Sequence, residues 1–214
     1  VTVSILAWQS AQRCRRELSV ATYTVPSGLM NTPARIVQLS DLHGWTFGDG
    51  NADLVARVEA LEPDLIVMTG DMLDRLDENP DTVCELIQIL ADTAPIYYGY
   101  GNHEYKWMQT HGKSLTPELE AAGATVLDTS YLDITLNGQP VRIGGYHGYY
   151  RQPGMYDISQ EQREAELSFC DDFEDTDSYK LLLCHIPTPW LDWQYIDDCP
   201  VDLVLTGHYH GGQI

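Results

Sequence analysis

The sequence predicts an α/β fold, a largely parallel sheet followed by a second sheet edge that opens with a hairpin, and two observations carry that prediction. Between residues 35 and 122, short continuously apolar strands alternate with segments of helical periodicity, the pattern of a sheet buried on both faces. From Tyr131 the apolar period drops to two on either side of an Asn-Gly pair, the pattern of an antiparallel hairpin. In order, residues 35–40 (RIVQLS) form a strand that stops at Asp41, and residues 52–61 carry apolar side chains at helical spacing. Residues 64–69 (DLIVMT) are a strand, 82–90 (TVCELIQIL) a helix, 95–98 a strand, and 116–122 a helix ended by Gly123. Asn137-Gly138 then joins the strands 132–136 and 141–145. Residues 159–169 read as a helix whose N-cap Ser159 and Gln162 form a capping box, and 179–184 and 202–206 are the last strands. No internal repeat and no Pro-, Gly- or Ser-rich linker divides the chain, and 214 residues bury a core without disulfide staples.

Hydrophobic residues at 43% and charged ones at 21% exclude a disordered or collagen-like chain. Twelve Lys plus Arg against 32 Asp plus Glu give a formal charge of −20, so the surface repels phosphate backbones, and duplex nucleic acid is excluded as a general partner. Most of these carboxylates belong to a solvated face, since few can share one site. The five cysteines are scattered, with no C-x-x-C pair, and read as reduced thiols. No run approaches the ~18 apolar residues of a membrane-spanning helix. Residues 1–8 are apolar enough to be the stub of one, and an amphipathic or frayed terminus fits them equally well. As a stub, followed by Arg13, Arg15 and Arg16, they would place the following domain in the cytoplasm at the inner face of the membrane. The expected division is a lead-in over 1–33 and one domain over 34–214.

Five strand ends run straight into metal-binding residue types, and ligands of α/β sheets collect at the carboxyl ends of strands. The blocks are Asp41-Leu42-His43, Gly70-Asp71-Met72-Leu73-Asp74-Arg75, Gly101-Asn102-His103-Glu104, Cys184-His185-Ile186-Pro187 and Gly207-His208-Tyr209-His210. One histidine at a strand end is an ordinary core or surface residue; five of the chain's seven histidines in such blocks are not a coincidence. Aspartates, histidines and an Asn carbonyl mix hard oxygen with imidazole and lack thiolate, which suits Mn, Fe, Zn or Ni. Seven such ligands exceed the needs of one ion and match two ions that share a carboxylate.

The order D-x-H, G-D-x-x-D, G-N-H-E, a later H and G-H-x-H resembles the calcineurin-like metallophosphoesterases, from Asp41 to His210 and with every block intact. SDLHGWTFGDGN, PDLIVMTGD, GNHEY and GHYHGGQI are similar to the bacterial YkuE/YaeI-type branch, whose members often carry an N-terminal membrane or export segment. The resemblance implies a four-layer αββα sandwich, here expected to lack its C-terminal strands because relatives continue beyond the G-H-x-H block. It also implies Asp41, His43 and His210 on one divalent ion, Asn102, His185 and His208 on the other, and Asp71 bridging both. Mn is the first expectation for the pair, with Fe, Zn, Ni or Mg as alternatives. A hydroxide held between the ions would attack phosphorus, and His103, which belongs to neither ion, would protonate the leaving oxygen or bind the phosphate. Asp74 and Glu104 are candidate carboxylate partners for the positioned imidazoles. Arg75 is a phosphate ligand or, as the acidity of the chain favours, an ordinary ion-pair partner of Asp74 or Asp77; Arg151, in the tyrosine-rich segment 145–151, is a candidate for the substrate mouth. Trp190 and Trp193 read as core. The implied function is hydrolysis of a phosphodiester or pyrophosphate-type bond in a small or lipid-linked substrate, with membrane association through a missing N-terminal segment. The alternative is a catalytically silent metal-binding scaffold for protein partners.

Overall fold

Strand β2 (Leu65–Met68) has all four residues buried, and the side to which each side chain points explains why. Ile66 and Met68 pack with Leu54 and Val58 of helix α1 (Ala52–Glu59), Leu86, Ile87 and Leu90 of α2 (Asp81–Leu90), Trp107 of α3 (Asn102–His111) and Leu119 of α4 (Thr116–Ala122). Leu65 and Val67 point the other way, into a second cluster with Val141, Ile143, Leu181 and Leu183. A strand covered on both faces has no use for alternation, which is why its sequence is continuously apolar. In the computed structural model, which describes residues 18–146, 160–191 and 199–210, β2 lies in a four-stranded parallel sheet of order β1 (Ile36–Leu39), β2, β3 (Ile96–Gly99), β4 (Ala124–Leu127). The second sheet has the order β5 (Ser130–Leu136), β6 (Gln139–Gly145), β7 (Tyr179–Leu183), β8 (Leu203–Leu205), antiparallel at β5/β6 and parallel thereafter.

Along β7, Leu181 and Leu183 enter the cluster between the sheets, while Leu182 packs outward with Phe169, Cys170 and Phe173 of α5 (Gln160–Glu174). The molecule is thus layered helix, sheet, sheet, helix, the αββα sandwich. At full burial each such leucine contributes about 1.5–3 kcal/mol, and the three clusters together hold the layers.

The predicted elements are present with shifted ends, and the Asn137-Gly138 turn has positive φ at both residues, 49° and 78°, the twist-matched two-residue hairpin. The helix predicted to end at residue 169 runs on to Glu174, because Phe169, Cys170 and Phe173 keep one apolar stripe in contact with β7. Four elements escaped the sequence reading: the 3₁₀ turn Asp49–Asn51, α3, β4 and the short helix α6 (Thr188–Leu191). Cys84 is a free, half-buried thiol, Cys170, Cys184 and Cys199 are buried, and Trp190 packs on the outer cluster. The N-terminal stub with Arg13, Cys14, Arg15 and Arg16, Arg151 with most of its tyrosine-rich segment, the Ser159 cap and Trp193 lie outside the described residues. No helix among the described residues is long and apolar enough to cross a membrane.

Candidate metal centre

Parallel register aligns Leu39 with Met68 and Met68 with Tyr98, so the chain leaves β1, β2 and β3 at one edge of the first sheet. The loops then continue the ladder: Asp41 N donates to Gly70 O at 3.0 Å, His43 N to Asp71 O at 2.9 Å, and Gly44 N to Met72 O at 2.9 Å. On the second sheet Cys184 N donates to Leu205 O at 3.1 Å and Gly207 N to His185 O at 2.9 Å. Three hydrogen bonds lock the two edges together. Gln38 Nε2 donates to Thr206 O at 2.7 Å, His208 N to the Asp41 carboxylate at 3.0 Å, and His185 Nδ1 to Thr69 O at 2.7 Å. A carbonyl only accepts, so Nδ1 of His185 carries a proton and Nε2 faces the site.

Three groups of side chains result, each with its potential ligand atoms within 4.8 Å of one another: Asp41, His43 and His210; His43, Asp71 and His103; Asp71, His185 and His208. His43 Nε2 lies 3.1 Å from His210 Nε2, and His210 Nε2 lies 3.6 Å from Asp41 Oδ1. Asp71 Oδ2 lies 3.2 Å from His185 Nε2 and 3.9 Å from His43 Nε2, so this one oxygen faces both histidine sets. Asn102 Oδ1 and His185 Nε2 are buried and lack a hydrogen-bond partner. Leaving such atoms unpaired costs about 1–3 kcal/mol each, and a cation ligated by both removes that cost. The donor set therefore fits divalent ions.

Burial pushes the Asp71 carboxyl upward, but the His185 side chain and the His103 main-chain N–H outweigh it and hold Asp71 below the usual range. Burial likewise pushes His185 down, and here Asp71 and Asp41 win, so that imidazole sits above its ordinary value. His43 and His208 are held below theirs, chiefly by burial, with Asp71 opposing in both cases. Both are accordingly ready to offer a lone pair near neutral pH.

The backbone at the site is unusual. Of nine non-glycine residues with positive φ among those described, five are candidate ligands: Asp41 at 57°, His43 at 48°, Asp71 at 51°, His208 at 70° and His210 at 47°. Each costs about 1–2 kcal/mol for an L-residue and persists only where its surroundings over-determine it. Two glycines supply part of that constraint. A Cβ on Gly70, itself at φ 93°, would lie 2.3 Å from Gly101 N, and one on Gly101 would lie 2.3 Å from Asp71 Oδ1, so the loops after β2 and β3 touch through their backbones.

His103 lies in the first turn of α3, its N donating to Asp71 Oδ1 at 2.8 Å and its ring edge-on to His43 at 4.4 Å. Asp74 Oδ2 lies 3.5 Å from His103 Nδ1 and 3.9 Å from His43 Nδ1, beside both rings. Glu104 does not fill the role expected of it. Among the described residues it touches no imidazole; its oxygens accept main-chain N–H groups and the Tyr98 hydroxyl, because the helix turn after His103 carries it inward beneath the loops. Arg75 makes no ion pair with Asp74 or Asp77: its side chain is exposed, while its backbone N donates to His103 Nδ1 at 3.2 Å. Sequence reasoning missed Ser40, whose hydroxyl donates to Asp41 Oδ2 at 2.5 Å, and Tyr98 and Thr69. The Thr69 carbonyl has no sequence signal at all, whereas a tyrosine in a buried strand asks for a polar partner.

A model of the calcineurin-like phosphoesterase family matches residues 34–212. The chain is 30% identical over 212 residues to YkoQ of Bacillus subtilis, named as an uncharacterized metallophosphoesterase, covering 95% of this chain and 72% of that one. It is 32% identical over 191 residues to YkuE of the same organism, covering 84% and 59%, and 28% identical over 189 residues to the phosphodiesterase YaeI of Escherichia coli, covering 85% and 62%. The chain thus spans less than two thirds of YkuE and of YaeI. Among solved structures, TT1561 of Thermus thermophilus superposes with a TM-score of 0.54 at 15% identity over 81% of each chain, a likeness of fold.

Proposed function

The chain belongs to the calcineurin-like phosphoesterase family, whose members are metal-dependent phosphoester hydrolases, and from that premise we propose a binuclear phosphoesterase carried by residues 34–214. The observation that supports two sites over one is the position of Asp71, whose Oδ2 faces His185 on one side and His43 on the other. Asp41, His43 and His210 would hold one ion and Asn102, His185 and His208 the other, with Asp71 shared. Two bound divalent ions, Mn first among the candidates, supply a water activated near neutral pH and offset the charge that builds on the phosphate oxygens.

The chain's own groups do the rest. Nδ1 of His103 accepts from Arg75 N, which leaves Nε2 to carry the proton delivered to the leaving oxygen, and Asp74 Oδ2 lies 3.5 Å from Nδ1 beside the ring. His208 N and Ser40 Oγ both donate to Asp41 and fix its orientation. Arg75, exposed near His103, is free to turn toward a phosphate. The proposed substrate class is a phosphodiester or pyrophosphate-type bond in a small or lipid-linked molecule; the diester preference rests on the likeness to YaeI. The test counts metal per chain and measures hydrolysis of bis-p-nitrophenyl phosphate. Two ions per chain, loss of turnover with chelator and recovery with Mn²⁺ are expected. A single ion refutes the binuclear reading, and two ions without hydrolysis of any phosphoester would identify a scaffold.

A further inference from the structure

Glu104 is fully buried, and its two oxygens accept four hydrogen bonds. Oε2 takes Asp71 N and Gly101 N, both at 2.8 Å; Oε1 takes Met72 N at 2.9 Å and the Tyr98 hydroxyl at 2.8 Å. Three of the four donors are main-chain groups of the loops that carry Asp71 and Asn102. One amide from each loop meets on the same atom, Oε2. The placement of Asp71 relative to Asn102 is therefore set through a single carboxylate oxygen lying beneath them both. The neighbouring glycines tighten this junction, since Gly70 and Gly101 leave no room for a side chain between the loops. Asp71 also sits in the left-handed region, a conformation it leaves at a gain unless its N–H is held.

From this geometry we propose that Glu104 is a positioning residue: it fixes the shared carboxylate of Asp71 against Asn102 and so sets the spacing between the two ion sites. The inference rests on the binuclear reading and adds to it a cause for that spacing. Glutamate is the side chain the place requires. Glutamine must turn its NH₂ toward one pair of donors, opposing N–H to N–H on at least one loop. Aspartate keeps the charge but is one methylene short of spanning donors on both loops and Tyr98. Loss of the tether should fall hardest on the site that combines Asp71 with Asn102; the other site shares Asp71 but keeps Asp41, His43 and His210, which Glu104 does not touch, and should stay within a few-fold of its original affinity.

The experiment titrates Mn²⁺ into the whole chain by calorimetry and records the electron paramagnetic resonance spectrum at saturation. The native chain should bind two ions and give the spectrum of a coupled Mn²⁺ pair. Glu104→Gln and Glu104→Asp should keep the first ion within a few-fold and weaken the second by roughly 10–100-fold, the usual effect of removing a group that orients a ligand. Their spectra should shift to isolated Mn²⁺. Val83→Ala, a core truncation in α2, controls for stability and should keep the coupled pair even with an equal fall in Tm. A folded Glu104 variant with two ions as tightly bound and as strongly coupled as the native pair overturns the proposal. So does equal loss of the second ion in Val83→Ala, or the failure of both Glu104 variants to fold. If the native chain itself binds fewer than two ions, the binuclear reading fails before the variants are compared.

Discussion

Replacing His103 by alanine removes the ring but leaves the backbone N–H that donates to Asp71 Oδ1 at 2.8 Å, so the shared carboxylate keeps its orientation. The fold loses the 3.2 Å hydrogen bond from Arg75 N and the edge contact with His43, at a position where water can take over as acceptor. One such hydrogen bond contributes about 0.5–1.5 kcal/mol, which in a domain of this size lowers Tm by roughly 1–6 °C. The expected catalytic loss is larger. General acid catalysis is worth about 10²–10⁴ in kcat, or roughly 2.7–5.4 kcal/mol at 1.36 kcal/mol per decade. Because the second figure exceeds the first several-fold, the effect cannot be passed off as instability. The assay compares kcat of the native chain and His103→Ala on alkyl and p-nitrophenyl phosphodiesters at saturating Mn²⁺, with metal content and Tm measured on the same samples. Two bound ions, a small Tm shift and a loss much greater for the alkyl esters are expected, since a nitrophenolate leaves without an acid. Equal losses across that series would assign His103 to phosphate binding and refute the proton-donor role.

Asp71→Asn keeps the volume, tolerates positive φ and retains an oxygen for His103 N, so it removes the charge alone; it should lose one ion and more than the roughly 10–100-fold that loss of an outer partner costs, measured by metal analysis and turnover. Both ions retained with normal turnover would sink the shared-ligand assignment. Metal affinity should rise with pH from about 6 to 8. His43 and His208, held below the ordinary value, give up their protons at lower pH than an ordinary imidazole, whereas His185, held above it, competes longer for its proton, so calorimetry in buffers of different ionisation enthalpy should show proton release near neutral pH. Arg142→Met should cost roughly 2–4 kcal/mol by freeing the Asp172 and Asp175 carbonyls, bonded at 2.8 and 3.2 Å, with the mostly exposed Asp133 pair adding little. Thermal melts should fall while kcat on any diester stays unchanged.

How much of this was legible depends on where each side chain points. β2 is legible because both of its faces are covered, and the hairpin because an Asn-Gly pair has few other uses. Helix α3 was not: of its ten residues only Glu104 and Trp107 are buried, so NHEYKWMQTH shows no apolar stripe. β4 is four residues long, ATVL, too short for a period to register. At the site, residue type carried the signal. Aspartate and histidine at strand ends are chemically loud, and the structure brings all six charged or imidazole candidate ligands into connected groups. Glu104 shows the limit of that reasoning. A carboxylate two places from a ligand looks like an imidazole's partner, and only the helical turn that buries it shows that it serves main-chain amides. Left-handed backbone at aspartate and histidine leaves no trace in the sequence.

Each sheet comes from one unbroken stretch of chain, residues 36–127 for the first and 130–205 for the second, joined through residues 128–129. The candidate ligands are divided by the same cut: Asp41, His43, Asp71 and Asn102 before it, and His185, His208 and His210 after it. Neither piece holds a full set, and each proposed ion draws on both. A metal at this centre would therefore also be a fastener between two separately threaded pieces, and its proposed ligand set is complete only once residue 210 has been made. Severed between Asp128 and Thr129 and expressed as two polypeptides, the pieces would expose the apolar inner faces of their sheets, and their reassembly would become a reaction that the ion drives and a chelator reverses.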